Sequence, residues 1–422
     1  MIEHIRDLLD FLDGSPCSVQ ASAQIAKRLE ESGFTPLEES AKWSIKAGGK
    51  YYVRRQTSVL AFIAGSQPLE QSGFQMAAAH IDSPGLKLKP ESVKTEGNVA
   101  RIAVEVYGGP ILSTWTDREL GIAGQVAIRK DGVSSVVPVD LQRPAAIIPN
   151  VAIHLNREVN KGFEYNKQIH LQAILSTGST AGNPLLAALA EELQVGPEQI
   201  TEMELFLYDF AKAALGGLDG NLIISGRLDN LGMSHAILSA IREGGKPSST
   251  VVASLYDHEE IGSATAQGAD SSFLTETLER ISIAQGLNRE EHYLALRRSF
   301  MISGDMAHAF HPSYPEKYDA SCSPVMNGGP VIKWNASHKY ASIALSSQRF
   351  ASLCEAAGVR WQKFVMRSDL LCGSTVGPIV SAQLGIPVVD VGSPLWGMHS
   401  VRETAGTKDH ESMIKVLKQY FQ

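Results

Sequence analysis

Two adjacent carboxylates, Glu259 and Glu260, follow the apolar run Val251-Val-Ala-Ser-Leu-Tyr256. The run reads as a buried strand. The pair would then stand just past its C-terminal end, where open α/β sheets present their ligand crevice. Other strand ends bring related chemistry: His80 with Asp82, then Asp229, Asp305 and His399. Each alone is commonly a turn cap or a hydrogen-bonded structural group. Together they offer two imidazoles and several carboxylates, a donor set that suits a pair of divalent, zinc-like ions. One carboxylate must then bridge ions ~3.5–4 Å apart. Asp229 is the candidate, because a strand-to-helix junction leaves it little freedom to swing away. Asp82 lies two residues from His80. It either accepts the second ring N–H and fixes the tautomer, or caps the turn ahead of Pro84-Gly85. Glu259 and Glu260 cannot both be ligands on a strand end, since successive side chains diverge. One should bind metal and the other should take a proton from the attacking water.

The elements that must position these groups follow an α/β pattern interrupted once. Apolar residues at helical spacing in 2–12 and 19–32 predict two helices, and 48–55, 58–65 and 74–79 read as strands. From about residue 90 the texture alternates. Segments 98–107, 124–130 and 133–139 read as half-buried strands, and Asp131-Gly132 is a two-residue hairpin turn. A helix over 183–193 and a strand over 204–208 complete a mostly β insertion, residues 90–220. Residues 1–89 and 221–422 form the discontinuous α/β domain. Its second part has strands at 221–225, 251–256, 299–303, 363–367 and 387–391, and helices to about 242, over 272–285, 340–357 and 411–420.

Composition narrows the function classes. A chain of 422 residues, 44% hydrophobic, can bury a large core and hold two domains. A net charge of −7 without a Lys/Arg block argues against nucleic-acid binding. The four cysteines, Cys17, Cys322, Cys354 and Cys372, have no CxxC spacing; reduced thiols in a cytoplasmic protein are the expectation. The N-terminus lacks an apolar signal core. No apolar run approaches the ~20 residues of a membrane span.

An ordered set of motifs then resembles the M18 metalloaminopeptidases, the aspartyl aminopeptidase family, over nearly the whole chain. It runs through Phe11-Leu-Asp-Gly-Ser-Pro, Gly48-Gly-Lys-Tyr-Tyr, Ala79-His-Ile-Asp-Ser-Pro-Gly-Leu-Lys-Leu-Lys-Pro90 and Ala152-Ile-His-Leu-Asn-Arg157. It continues with Ser225-Gly-Arg-Leu-Asp-Asn230, Asp257-His-Glu-Glu-Ile-Gly-Ser263, Ser303-Gly-Asp-Met-Ala-His308, Cys372-Gly-Ser-Thr-Val-Gly-Pro378 and Met398-His-Ser-Val-Arg-Glu403. The resemblance implies a mixed-sheet α/β/α dimetal-peptidase domain with an inserted β-rich oligomerisation domain. It implies two divalent ions per subunit, expected to be zinc. His80 would bind one and His399 the other, Asp229 would bridge, and Glu260 and Asp305 would complete the set. Glu259 would be the general base and Asp82 the partner of His80.

Three further residues follow from the same resemblance. Lys333 matches a pocket lysine suited to an acidic substrate side chain. Tyr340 matches a pocket tyrosine able to donate to an oxyanion. His154, in the insertion, would reach the active site of a neighbouring subunit to steady the tetrahedral intermediate, with metal ligation as the alternative. His258, His308 and His311 are read as structural groups or as groups that support the ligands from behind. The implied assembly is a tetrahedral dodecamer built from dimers, acting on short or unfolded peptides. Two stretches depart from the family pattern: Pro110 and Thr116 replace an expected Gly and Phe, and Phe210-Ala-Lys212 replaces Gln-Pro. The implied activity is removal of an N-terminal residue, preferably Asp or Glu. Two other dimetal activities remain open, a broad-specificity aminopeptidase and an N-acyl amino acid amidohydrolase. A non-catalytic assembly or cargo protein is the alternative from another class.

Overall fold

The structure is a computed structural model describing residues 2–178 and 182–422. Nine strands form a mixed sheet in the order Thr35–Leu37, Lys50–Arg55, Ser58–Ile63, Thr250–Tyr256, Phe74–His80, Phe300–Gly304, Val388–Gly392, Val331–Trp334 and Gln362–Val365. The four from Thr250–Tyr256 to Val388–Gly392 are mutually parallel, so their C-terminal ends emerge along one edge. Antiparallel pairings flank them on both sides.

Both faces of this sheet are covered, which is why its strands read as unbroken apolar runs. Ala77 and Ala79 pack into a core with Ile237, Phe350 and Leu417. Met76 and Ala78 point the other way, into a core with Phe273, Leu278 and Val380. The helix Leu228–Arg242 is buried from Leu228 to Ile241. Gly232, Ser234, Ala236 and Ala240 keep it slim enough to lie inside rather than against the surface, so it has no polar face.

A separate six-stranded antiparallel sheet runs Val133–Asp140, Leu120–Lys130, Ile200–Asp209, Gly85–Glu96, Val99–Tyr107 and Ala173–Thr177. Asp131 and Gly132, both at positive φ, make its predicted hairpin turn. Leu86, Ile122, Val126, Leu205 and Leu207 give it a core of its own. The helix Pro184–Leu193 packs there, its N-terminus capped by the Asn183 side chain accepting from Leu185 and Leu186 N–H.

A third sheet was not foreseen. Five short strands, Ala214–Gly216, Leu222–Ser225, Glu403–Gly406, Pro394–Trp396 and Ala307–His308, form it. The predicted strand at 221–225 therefore belongs here and not to the main sheet. Two helices also went unmarked, Arg289–Arg297 and Val376–Leu384. The helix expected from Tyr340 begins at Ala344. Residues 341 and 342 are tied instead to the main sheet: Ala341 N–H donates to Asp390 Oδ2 at 2.5 Å, and Asp390 N–H to Ser342 Oγ at 3.0 Å. The closing helix starts earlier than read, at Thr407. Among the described residues, no helix is long and apolar enough to cross a membrane.

Candidate metal centre

Eight predicted residues line a cleft of about 610 Å³ at the C-terminal edge of the parallel strands, six of them the candidate ligands and base. His80 ends Phe74–His80, and Asp305 directly follows Phe300–Gly304. Glu259 and Glu260 open a tight helical turn after Thr250–Tyr256. Asp229 and His399 come from the five-stranded sheet, Asp229 just after Leu222–Ser225 and His399 between Pro394–Trp396 and Glu403–Gly406.

Asp229 sits between the two imidazoles. Its Oδ1 lies 3.5 Å from His80 Nε2 and its Oδ2 lies 3.5 Å from His399 Nε2. Asp305 Oδ2 and Glu259 Oε2 each lie 3.9 Å from His80 Nε2, and Glu260 Oε1 lies 3.4 Å from His399 Nε2. Donor atoms fall into overlapping groups: His80, Asp229 and Asp305; Asp229, Glu260 and His399; and His80, Glu259 and Glu260.

The donor set fits metal ions. Bonds of ~2.0–2.2 Å in a tetrahedral shell place ligand atoms about 3.3–3.5 Å apart, too far for a hydrogen bond between them. The spacings around Asp229 are of that size, and its buried Oδ1 has no hydrogen-bond partner. Both rings are oriented from behind, leaving Nε2 toward the carboxylates. His80 Nδ1 is 3.1 Å from the Asp82 carbonyl oxygen and 3.3 Å from Asp82 Oδ1. His399 Nδ1 is 3.1 Å from the Gly109 carbonyl oxygen.

The electrostatics suit a cation. Burial opposes charge on both imidazoles, yet the neighbouring carboxylates prevail. His80 is held well above its ordinary value by Asp229 and Asp82, and His399 is raised to about 11 by Asp229 and Glu260. Burial pushes the Glu259 carboxyl up to about 8; His80 opposes the rise, and Asp305, Glu260 and Asp82 add to it. Burial also raises Glu260.

A family model described as Aminopeptidase I zinc metalloprotease (M18) matches residues 11–421. The chain belongs to the M18 family. It is 42% identical to a probable M18 family aminopeptidase 2 of Clostridium novyi (strain NT), over 100% of this chain and 99% of that one. It is 41% identical to another from Ectopseudomonas mendocina (strain ymp), over 99% and 98%. Among solved structures it is similar to a chain of the Ape4 and Nbr1 complex, with a TM-score of 0.96 and 36% identity over 100% of this chain and 85% of that one. It is also similar to the S. cerevisiae mApe1 dodecamer, with a TM-score of 0.86 and 27% identity over 99% and 95%. As an M18 aminopeptidase, the protein is a peptidase of a zinc metalloprotease family, and its mixed α/β fold is the fold of that family.

For the remaining predicted residues the M18 cleft is more particular than the sequence. Asp82 does two things. Besides contacting His80, its Oδ1 accepts Glu259 N–H at 3.2 Å and its Oδ2 accepts Glu260 N–H at 3.1 Å, so it holds the turn bearing both glutamates. Tyr107 Oη donates to the same Oδ2 at 2.8 Å from the six-stranded sheet. Lys333 is buried in the cleft wall, where its ammonium donates to Asp305 Oδ1 at 2.9 Å and to the Met306 carbonyl at 2.7 Å. Tyr340 lines the cleft, its ring 5.2 Å from Lys333 Nζ. Burial, and then the Cys372 thiol, push its hydroxyl far up, so it stays protonated and able to donate. His154 is not brought to the cleft of its own chain; it is exposed on a turn of the six-stranded unit.

Some participants escaped sequence reasoning. His308, read as structural or as a support to the ligands, lines the cleft itself, and burial followed by Lys333 holds it down to about 4. The segment 108–114 grips the His399 loop: Ile111 N–H donates to the His399 carbonyl at 2.9 Å, and Val401 N–H to Thr114 Oγ1 at 2.9 Å. The unusual Pro110 sits between the two residues that contact His399. Gly108, at φ +66°, leaves room for Glu260, whose Cβ would stand 3.2 Å from an added Cβ. Pro110 stands out in the sequence as a departure from the family pattern, but nothing in the sequence links it to His399.

Proposed function

We propose that this M18 aminopeptidase works through two divalent ions, expected to be zinc, and favours peptides with an acidic N-terminal residue. The observation behind the dimetal reading is the position of Asp229, with one oxygen toward each imidazole at 3.5 Å. In this reading His80 and Asp305 hold one ion, His399 and Glu260 the other, and Asp229 serves both. When bound, the ions would polarise the scissile carbonyl and acidify the attacking water.

The chain's own residues do the rest. Glu259, half-buried beside His80, takes the water's proton and later gives it to the leaving amine. Asp82 holds Glu259 at that distance through the turn and keeps His80 in one tautomer. Tyr340 donates a hydrogen bond to the developing oxyanion. The carboxylates of the cleft attract a free α-ammonium group, which explains selectivity for the N-terminal residue. Glu259→Gln should keep its metal and lose roughly 10²–10⁴-fold in kcat, the range of general acid–base catalysis. Near-normal turnover would remove Glu259 from this role.

Lys333 supports the acidic preference. Two of its three N–H bonds are used on Asp305 and Met306, leaving one for a substrate carboxylate. The same pairing favours a second reading, a broad-specificity pocket in which Lys333 only steadies Asp305. Matched rates on N-terminal Asp, N-terminal Leu and N-acylated substrates separate acidic, broad and amidohydrolase activities.

The domain division 1–89 plus 221–422 against 90–220, and an oligomerising role for the second unit, belong to the same proposal. Support comes from the separate core of the six-stranded sheet and from the exposed Val151, Ile153 and Leu155 flanking His154. A relative solved as a dodecamer adds weight to a homo-oligomer. In such an assembly His154 would enter a neighbouring cleft and steady the tetrahedral intermediate.

A further inference from the structure

The residues of the metal centre are delivered by two different sheets. His80, Asp305, Glu259 and Glu260 are delivered by the nine-stranded sheet; Asp229 and His399 are delivered by the five-stranded one. One buried side chain joins the two residues of the second set. Glu403 Oε2 accepts Asp229 N–H at 2.9 Å, and Glu403 Oε1 accepts His399 N–H at 2.7 Å.

Both N–H groups need such an acceptor. Asp229 lies in the first turn of Leu228–Arg242, where backbone N–H groups have no intrahelical partner. His399 has φ +67°, a left-handed conformation that a non-glycine residue keeps only when its surroundings hold it. Glu403 is itself fixed. It opens the strand Glu403–Gly406 and pairs in register with Ser225, four residues before Asp229. The same strand pairs with Pro394–Trp396, so His399 lies on the hairpin connection that Glu403 closes. The carboxylate thus spans the base of the His399 loop and the root of the Asp229 helix.

We propose that Glu403 is a positioning residue for the His399 half of the centre. It sets the distance between Asp229 Oδ2 and His399 Nε2 through their backbones, touching neither substrate nor ion. This rests on the two-ion reading. Its consequence is asymmetric: Glu403 holds two residues of the His399, Asp229 and Glu260 position but only Asp229 of the His80, Asp305 and Asp229 position, so disturbing it should weaken the first position far more than the second. Glutamine cannot replace it, because its NH₂ would face one of the two N–H donors. Aspartate is too short to reach both.

The test is zinc competition against a chromophoric chelator, using the full-length protein and its Glu403→Gln and Glu403→Asp variants. Wild type should bind two ions per chain. Each variant should bind one ion about 10–100-fold more weakly, the range for residues that orient ligands, and lose less than tenfold on the other. In a His399→Ala background, Glu403→Gln should add less than a further tenfold loss, whereas in a His80→Ala background it should keep its full effect. Equal weakening of both ions, or of neither, overturns the proposal. So does failure of both variants to fold, which would assign Glu403 to general stability. A wild type that binds a single ion instead contradicts the two-ion reading itself, and the same titration reveals it.

Discussion

Glu259 and Glu260 are neighbours in one tight turn, yet they face different imidazoles. Glu260 lies 3.4 Å from His399 and Glu259 lies 3.9 Å from His80. Asp82 produces this division by accepting both of their N–H groups, which fixes the turn rather than either side chain. Asp82→Asn should therefore disturb more than the His80 tautomer. An amide can accept on one side only, so the turn loosens, and kcat should fall roughly 10–100-fold even where metal content is restored. Zinc content and kcat measured on one sample check this; unchanged kcat at full occupancy would limit Asp82 to orienting His80. Lys333 makes a second prediction at this scale. If its free N–H meets the substrate, Lys333→Met should lower kcat/KM for N-terminal Asp by at least ~1.4 kcal/mol, tenfold, more than for Leu. Equal losses on both would favour the broad-specificity reading and a role confined to Asp305.

At the scale of elements, three helices meet at a buried pair of histidines that do not line the cleft. His235 Nε2 lies 3.0 Å from Asp7 Oδ2, and its Nδ1 lies 2.9 Å from His410 Nε2. The contacts fit one arrangement. His235 donates from Nε2 to Asp7, which also pairs with Arg28, and accepts at Nδ1 from the Nε2–H of His410. Protonating either ring sets charge in a buried site, so burial depresses both histidines, His410 well below the ordinary value. The unfolded chain then binds more protons than the folded one below pH about 6.5. Stability should fall as pH is lowered through that value, by up to about 1.4 kcal/mol per pH unit for each histidine. His410→Gln should flatten the slope of melting temperature between pH 7 and 5, and an unchanged slope would contradict this.

The same scale shows what could be read in advance. Long apolar runs such as Thr250–Tyr256 and the periodic helices were legible because burial on two faces, or on one stripe, leaves its period in the sequence. The five-stranded sheet was not, since strands of two to four residues are too short to show a period. Of the centre, the residues that meet in the cleft were legible, and for His80, Asp305 and the glutamate pair so was the place at a strand end. Glu403 stood inside a quoted motif, but its role depends on two backbone N–H groups brought together by register, which no side-chain pattern encodes. Lys333 was legible as a pocket residue and its pairing with Asp305 was not.

At the scale of the whole molecule, the six-stranded sheet and the main sheet meet beside the site. The six-stranded sheet contributes Tyr107 to Asp82 and the 108–114 segment to His399, so the cleft is finished by residues outside the main sheet. Its edge strand Val133–Asp140 and the turn near His154 leave Val133, Val136 and Leu155 exposed. Light scattering should give a homo-oligomer. His154→Ala should leave its mass unchanged and reduce kcat, as expected of a residue that acts across a subunit boundary. A fully active monomer would contradict both statements.

The most direct test of the account is a zinc titration of chelator-treated protein that follows release of the N-terminal residue from an Asp peptide and from its N-acetylated counterpart. The account predicts that hydrolysis of the free-amine peptide rises to a plateau at two zinc ions per chain, with the acetylated peptide left intact. A plateau at one ion, or equal cleavage of the blocked peptide, would contradict a two-ion centre that selects a free N-terminus.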